Sequence, residues 1–382
     1  MRWLLPPGIE DLLPPQAQAL EAARRRLLDL FAAWGYQLVM PPLVEYADAL
    51  LTGTGADLAE QTFQVTDPLS GRLLAIRADI TPQVARIDAR DADPAPARLC
   101  YLGSVLTAQE GAPGTCRNPM QMGAELYGHD GPQSDVEVLR LLLATLRIAG
   151  HDKVHVDLGH VGIFRGLSCA AGLDADAEHT LFELLQRKAR ADIADFVTTL
   201  GLDAQARDWF VQLPQCFGSI DRLPELRQRL RDLPPAVSTA IDELDTIARE
   251  LLRFVPDLPL FVDLAELRGY HYHTGLVFAA YGAGYGQAMA WGGRYDGVGA
   301  VFGRARPATG FSADLKRLLG APELPAPAVL APWSSDPELT ALIERLRADG
   351  RAVIHELPGS APGPVGARIV HRDGAWRLQD AG

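Results

Sequence analysis

The sequence predicts an α+β fold: a mostly antiparallel sheet with helices around it, a helical insertion and a small C-terminal α/β domain. Three observations carry that expectation. Candidate strands fall in adjacent, hairpin-like pairs, whereas a doubly wound sheet would alternate each strand with a helix. From about 170 to 255 the pattern becomes almost wholly helical, with Pro214, Pro224, Pro234 and Pro235 separating the helices. Pro322, Pro325, Pro327 and Pro332 then mark a linker before a short tail. At 382 residues the chain is long enough for two or three domains. The boundaries drawn are a core of 1–321, with the insertion at about 170–255, and a C-terminal domain of 327–382.

In chain order, residues 15–34 make the clearest helix. Leu20, Ala23, Leu27, Phe31 and Trp34 recur at spacings of three and four, which makes one apolar stripe. Arg24, Arg25 and Arg26 fall mostly off it, as a solvated face does. Gly35 stops the helix, 36–40 alternates as a strand, and Pro41-Pro42 breaks it. Gly53-Thr54-Gly55 lacks the following Lys of a phosphate loop and reads as a plain turn. Residues 72–77 read as a strand and 82–89 as a helix. Strands at 100–107 and 120–127 flank a loop rich in Gly and Pro: Gly111, Pro113, Gly114 and Pro119. Ser134 or Asp135 is expected to cap a long apolar helix ending at Gly150. A strand follows at 153–157. Beyond the insertion, strands are expected at 260–264, 270–281 and 285–293, with a helix near 310–319. The tail reads as strand 327–331, helix 337–348, strand 352–357 and a closing pair. No internal repeat is evident.

Composition narrows the function. A formal net charge of −12 argues against a bulk-basic nucleic-acid binder, because phosphate affinity comes from clustered Lys and Arg. Cys100, Cys116, Cys169 and Cys216 are widely spaced, without a CxxC pair; that opposes a zinc ribbon or disulfide framework and fits a reducing cytosol. No run of about 18 apolar residues exists, and the first ten residues lack a signal-peptide core. A cytoplasmic chain without membrane contact is expected.

Three regions are candidates for chemistry. On the strand 120–127, Gln121, Gly123, Glu125 and Tyr127 share one face and Met120, Met122, Ala124 and Leu126 the other. A half-exposed strand explains that pattern. Yet Gly123 among polar side chains suggests close approach by a ligand, and a Gln–Gly–Glu face suits a small amine. In 268–281, Arg268, Tyr270, His271, Tyr272 and His273 crowd together. His271 and His273 would share a strand face, but no third metal ligand follows, and metal is not expected. A core of aromatics and a pocket anchored by Arg268 both remain open. Gly292-Gly293-Arg294-Tyr295-Asp296-Gly297 fits a backbone approach to a ligand or a bare turn.

Taken together, 8–14 (GIEDLLP), 77–81 (RADIT), 121–128 (QMGAELYG), 268–278 and 292–297 resemble the catalytic core of the class II histidyl-tRNA synthetases. The resemblance implies a histidine pocket built from Asp79, Thr81, Gln121, Glu125, Arg268, Tyr272, His273 and Tyr295. His273 stands where the synthetases usually carry Tyr, and Asp79 where they carry Glu. Where they place the Arg and Glu that hold the ATP α-phosphate, this chain has Thr107 and Gln109. The stretch 99–119 contains one basic residue, Arg117. Arg317 matches the arginine of the third signature motif. A tail of about 55 residues is small for an anticodon-binding domain.

A kept amino-acid pocket beside lost adenylation chemistry, with the turn 157–160, is similar to the regulatory subunits of ATP phosphoribosyltransferase, a family of synthetase paralogues. That resemblance implies a non-catalytic chain without a cofactor. Its partner would be the short-form catalytic subunit, in a hetero-octamer around a self-associated dimer or tetramer. It would activate that subunit and confer feedback inhibition by L-histidine in the first step of histidine biosynthesis. An active histidine–tRNA ligase, or a free-standing histidine- or tRNA-binding paralogue, is the alternative. Dimerisation through 15–34 and 36–40 is also implied by the resemblance; the apolar stripe packing within its own subunit is the other reading.

Overall fold

The computed structural model describes residues 4–52, 56–90, 93–109, 116–320, 326–359 and 365–380. The expected Gly53-Thr54-Gly55 turn, Gly111, Pro113, Gly114, Pro322 and Pro325 lie outside the described residues. The chain divides into two units, Met1–Leu12 with Ala17–Gly320, and Leu13–Gln16 with Ala321–Gly382.

Among the described residues, the larger unit is built on a nine-stranded sheet. Its order is Gln37–Leu38, Ala97–Ser104, Met120–Tyr127, Ala308–Asp314, Ala290–Arg294, Leu276–Gly282, Val154–His160, Leu260–Asp263 and Phe217–Ser219. The six central strands pair antiparallel, while Gln37–Leu38 joins Ala97–Ser104, and Val154–His160 joins Leu260–Asp263, in parallel. Met122, Ala124 and Leu126 point to one face, into a core shared with the long helices Pro132–Ile148 and Pro235–Phe254. The opposite face carries Gln121, Gly123 and Glu125. A second cluster forms there around Ile80, Val84, Tyr101, Tyr127 and Tyr295, under the helix Thr81–Arg90.

Helix Gln16–Ala33 buries Leu20, Ala23, Leu27 and Phe31 in the main core of its own subunit. The apolar stripe is therefore spent inside the chain. The strand after it shrinks to Gln37–Leu38, both exposed.

Several expectations are corrected. Ser134 and Asp135 do not cap their helix; Gly131 does, without a side-chain bond. Both are instead buried, and the Arg294 guanidinium donates to Ser134 Oγ at 2.9 Å and to Asp135 Oδ2 at 2.8 Å. Residues 157–160 continue a strand, and the His160 ring then accepts the Gly162 N–H to cap the next helix. The insertion contains a short strand, Phe217–Ser219, on the sheet edge. Residues 308–314 are a strand buried on both faces, so no period-2 alternation marked them, and the following helix is only Leu315–Leu318. Residues 270–275 form turns, and the strand begins at Leu276. His271 and His273 consequently do not share a strand face: His271 packs on Phe182, and His273 beside Tyr295.

The smaller unit has the sheet order Val353–His355, Val329–Ala331, Ala367–Arg372 and Ala375–Asp380, with helix Pro337–Ala348 on it. Asp336 caps that helix and accepts the Trp376 indole N–H at 2.9 Å. Among the described residues no helix is long and apolar enough to cross a membrane.

Candidate functional site

Two adjoining clefts open on the sheet face opposite the long helices, and they share Asp79, Trp291 and Ser312. The smaller, about 310 Å³, is lined by Asp79, Thr81, Glu125, Arg268, Tyr272, His273 and Tyr295. Seven of the eight expected residues thus meet in one cavity of amino-acid size.

Register explains why. Tyr101 lies directly opposite Gly123, and Glu125 opposite Gly310. A Cβ on Gly123 would sit 2.3 Å from the Tyr101 hydroxyl, and one on Gly310 1.5 Å from the Glu125 carboxylate. The absence of side chains lets two large polar groups lie across the sheet. Gly123 therefore makes room for Tyr101 and not directly for a ligand, which corrects the sequence reading.

Glu125 is buried and held by hydrogen bonds. Tyr295 donates to one carboxylate oxygen, and Tyr101 donates to the other at 3.2 Å. Tyr101 also meets Thr81 Oγ1 at 3.0 Å. Burial pushes the Glu125 carboxyl up to about 8, against the pull of the two tyrosines. Around it stand Tyr272, 4.9 Å from the Tyr295 ring, and His273. Burial lowers His273 to about 4, so the ring is neutral at pH 7. The Tyr272 hydroxyl is buried without a hydrogen-bond partner among the described residues. Tyr272 also lines the small cleft. At the rim, exposed Arg268 donates to the Tyr281 hydroxyl at 3.2 Å.

Gln121, the eighth residue, lines the neighbouring cleft instead. Its amide nitrogen donates to Asp79 Oδ1 at 2.7 Å and Ser312 Oγ at 2.9 Å, and its oxygen accepts the Ile80 N–H at 2.9 Å. Gln121 positions Asp79.

The larger cleft, about 430 Å³, is walled by Asp79, Thr107, Cys116, Gln121, Asp314 and Arg317, among others. Arg317 is the one cation among its described lining residues, against two carboxylates. Nearby Arg117 is committed to the backbone. Its guanidinium donates to the carbonyls of Thr107 at 3.0 Å, Ala108 at 2.9 Å and Pro7 at 3.2 Å. This cleft is poorly equipped to hold a triphosphate.

The sequence reading missed Tyr101, Trp291, Ser312 and Gly310. Gly123 signalled Tyr101, since a glycine inside a strand points to a large partner opposite; naming that partner required the register.

Comparisons agree with this architecture. Residues 8–318 match the model of the histidyl-tRNA synthetase family, and residues 326–379 the C-terminal domain of ATP phosphoribosyltransferase subunit HisZ. An ATP phosphoribosyltransferase regulatory subunit of Alkalilimnicola ehrlichii is 54% identical over 95% of this chain and 92% of that protein. One of Thioalkalivibrio sulfidiphilus is 51% identical over 99% and 98%. A Bacillus halodurans structure described as an ATP phosphoribosyltransferase regulatory subunit/histidyl-tRNA synthetase superposes with a TM-score of 0.83 at 26% identity, covering 95% of both chains. Histidyl-tRNA synthetase from Nostoc shares the fold at TM-score 0.78 and 18% identity, covering 97% of this chain and 91% of that one.

Proposed function

We propose, for a chain that belongs to the family of ATP phosphoribosyltransferase regulatory subunits, that it is the non-catalytic partner of an ATP phosphoribosyltransferase catalytic subunit. It activates a short-form catalytic subunit and imposes feedback inhibition by histidine in the first step of histidine biosynthesis, in the cytoplasm. The observation that carries this reading is the contrast between the clefts: an amino-acid-sized pocket around Glu125 beside a nucleotide-sized cleft whose nearby Arg117 is tied to carbonyls. Histidine bound around Glu125 would bias the assembly toward one quaternary arrangement. A coupling of about 1–3 kcal/mol corresponds to a change in affinity of roughly 5–150-fold.

Self-association as a dimer or tetramer within a hetero-octamer is part of this reading. Helix Gln16–Ala33 spends its apolar stripe internally, so the contact falls to the segment after it. There Leu38, Met40, Leu43 and Val44 are exposed, Met40 by 76%.

The test is reconstitution with a short-form catalytic subunit. Formation of phosphoribosyl-ATP should rise on adding this chain and fall as histidine is titrated in. An unchanged rate, with no co-elution of the two proteins, overturns the reading. The alternative, a histidine–tRNA ligase, requires histidine-dependent exchange of pyrophosphate into ATP, and none is expected.

A further inference from the structure

The turn 268–274 has two sides. Tyr272 and His273 line the small cleft. Tyr270 and His271 pack the other way, against the helical insertion, where both rings meet Phe182. Within the turn, the N–H groups of Tyr272 and His273 reach the Gly269 carbonyl at 2.8 Å, and Gly269 takes the positive φ of 64° that the bend requires. The carbonyls of Tyr270 and His273 are bonded from outside.

Two helices supply those bonds. Arg165 lies on Val161–Ala170, the helix that leads into the insertion. It donates from Nη2 to the Tyr270 carbonyl at 3.2 Å and to the His273 carbonyl at 3.3 Å, so one nitrogen spans the bend. Its guanidinium also lies 5.0 Å from the centre of the Tyr270 ring. Glu178, on the insertion's first helix, Ala175–Gln186, accepts the Tyr270 hydroxyl at 2.6 Å. The buried Tyr270 ring rests on Phe164 and Phe182, with centroids 5.3 and 5.4 Å away. Each tether has one ionised partner, which places it among the stronger hydrogen bonds. Tyr272 and His273 belong to the four residues whose ends Arg165 holds, so a shift of either ring pulls on the insertion.

We infer that the helical insertion shapes the small cleft from behind, with Arg165 and Glu178 as positioning residues, so that occupancy of the cleft and the order of residues 161–186 are coupled. This rests on the proposed histidine pocket and gives the insertion a part in it: the element that registers whether the pocket is filled. Coupling is reciprocal, so a tether that tightens when ligand binds must also tighten the ligand.

The experiment is calorimetry with L-histidine on the full chain, paired with hydrogen exchange of the backbone amides of 161–186 in the absence and presence of saturating L-histidine. In the native chain L-histidine should slow that exchange about fivefold. Tyr270→Phe keeps the ring and deletes the bond to Glu178; it should weaken L-histidine about fivefold and abolish the slowing. Arg165→Ala removes the other tether and should do the same. Glu178→Gln still presents an acceptor and should stay within about twofold of native. Arg249→Ala, which breaks an exposed ion pair with Asp245 on helix Pro235–Phe254, should change neither readout. Native binding of L-histidine without slower exchange in 161–186 overturns the inference, as does native affinity in both Tyr270→Phe and Arg165→Ala. Weaker binding with the slowing retained means a structural role alone and overturns it too. The pocket stands in all three cases. Absence of L-histidine binding to the native chain removes the pocket reading itself, and this inference with it.

Discussion

The two clefts share a sheet face, three lining residues and a common backbone, yet they differ in chemistry. In the smaller, a carboxyl group is buried among tyrosines, and a hydroxyl is left unsatisfied. In the larger, Arg317 faces two carboxylates, and the cation of the adjoining loop is turned onto carbonyl oxygens. One site gathers polar and aromatic groups around a cleft of amino-acid size. The other carries one cation among its described lining residues, too little to stabilise a transferring phosphate. A few side chains separate the two outcomes, because strand order and register place the walls of both.

The largest effect should come from breaking the small cleft. Glu125→Ala leaves the Tyr101 and Tyr295 hydroxyls without their shared acceptor and removes the ligand's carboxyl partner. Histidine affinity by calorimetry should fall by about 100-fold, or about 2.7 kcal/mol. Unchanged affinity would remove Glu125 from the pocket. Next in size is an attempt to erase the difference. Thr107→Arg with Gln109→Glu returns the phosphate-binding pair to the larger cleft. ATP affinity, followed by fluorescence of a labelled nucleotide, should rise by about tenfold, with histidine binding unaltered. No gain would mean that the wall, and not only its charge, has changed.

A third prediction concerns pH. Folding raises the Glu125 carboxyl from 4.5 to about 8. Between those values the folded chain binds more protons than the unfolded one, so stability declines as pH rises through that window. Melting temperature should drop from pH 5 to 8, and Glu125→Gln should flatten the profile by keeping the hydrogen bonds without a titrating group. A steeper profile in the variant would contradict the assignment. The smallest effect belongs to Arg317→Ala, which lies outside the small cleft. Histidine affinity should stay within about twofold, and a larger loss would show that the clefts act as one site.

Much of this was legible in the chain. Periodicity marked helix Gln16–Ala33, and Pro337 and Ala348 bound a helix at the expected residues. The motifs carry Asp79, Thr81, Glu125, Arg268, Tyr272, His273 and Tyr295, which the fold brings to one cleft. The strand Ala308–Asp314 escaped because it is buried on both faces and leads directly into a leucine-rich turn of helix. Residues 270–275 misled in the other direction, since aromatic and β-branched side chains favour strands while their backbone turns.

Local chemistry, then, determined the elements, the candidate pocket residues and the missing phosphate cation, because propensity, side-chain type and charge are properties of the chain itself. Only the tertiary structure decided that Tyr101 fills the space beside Gly123, that Gln121 serves Asp79 and that Arg117 is tied to carbonyls. Each of those depends on which strand lies opposite which and on where a donor finds its acceptor. Pairing across tens to hundreds of residues sets that, and no local pattern encodes it.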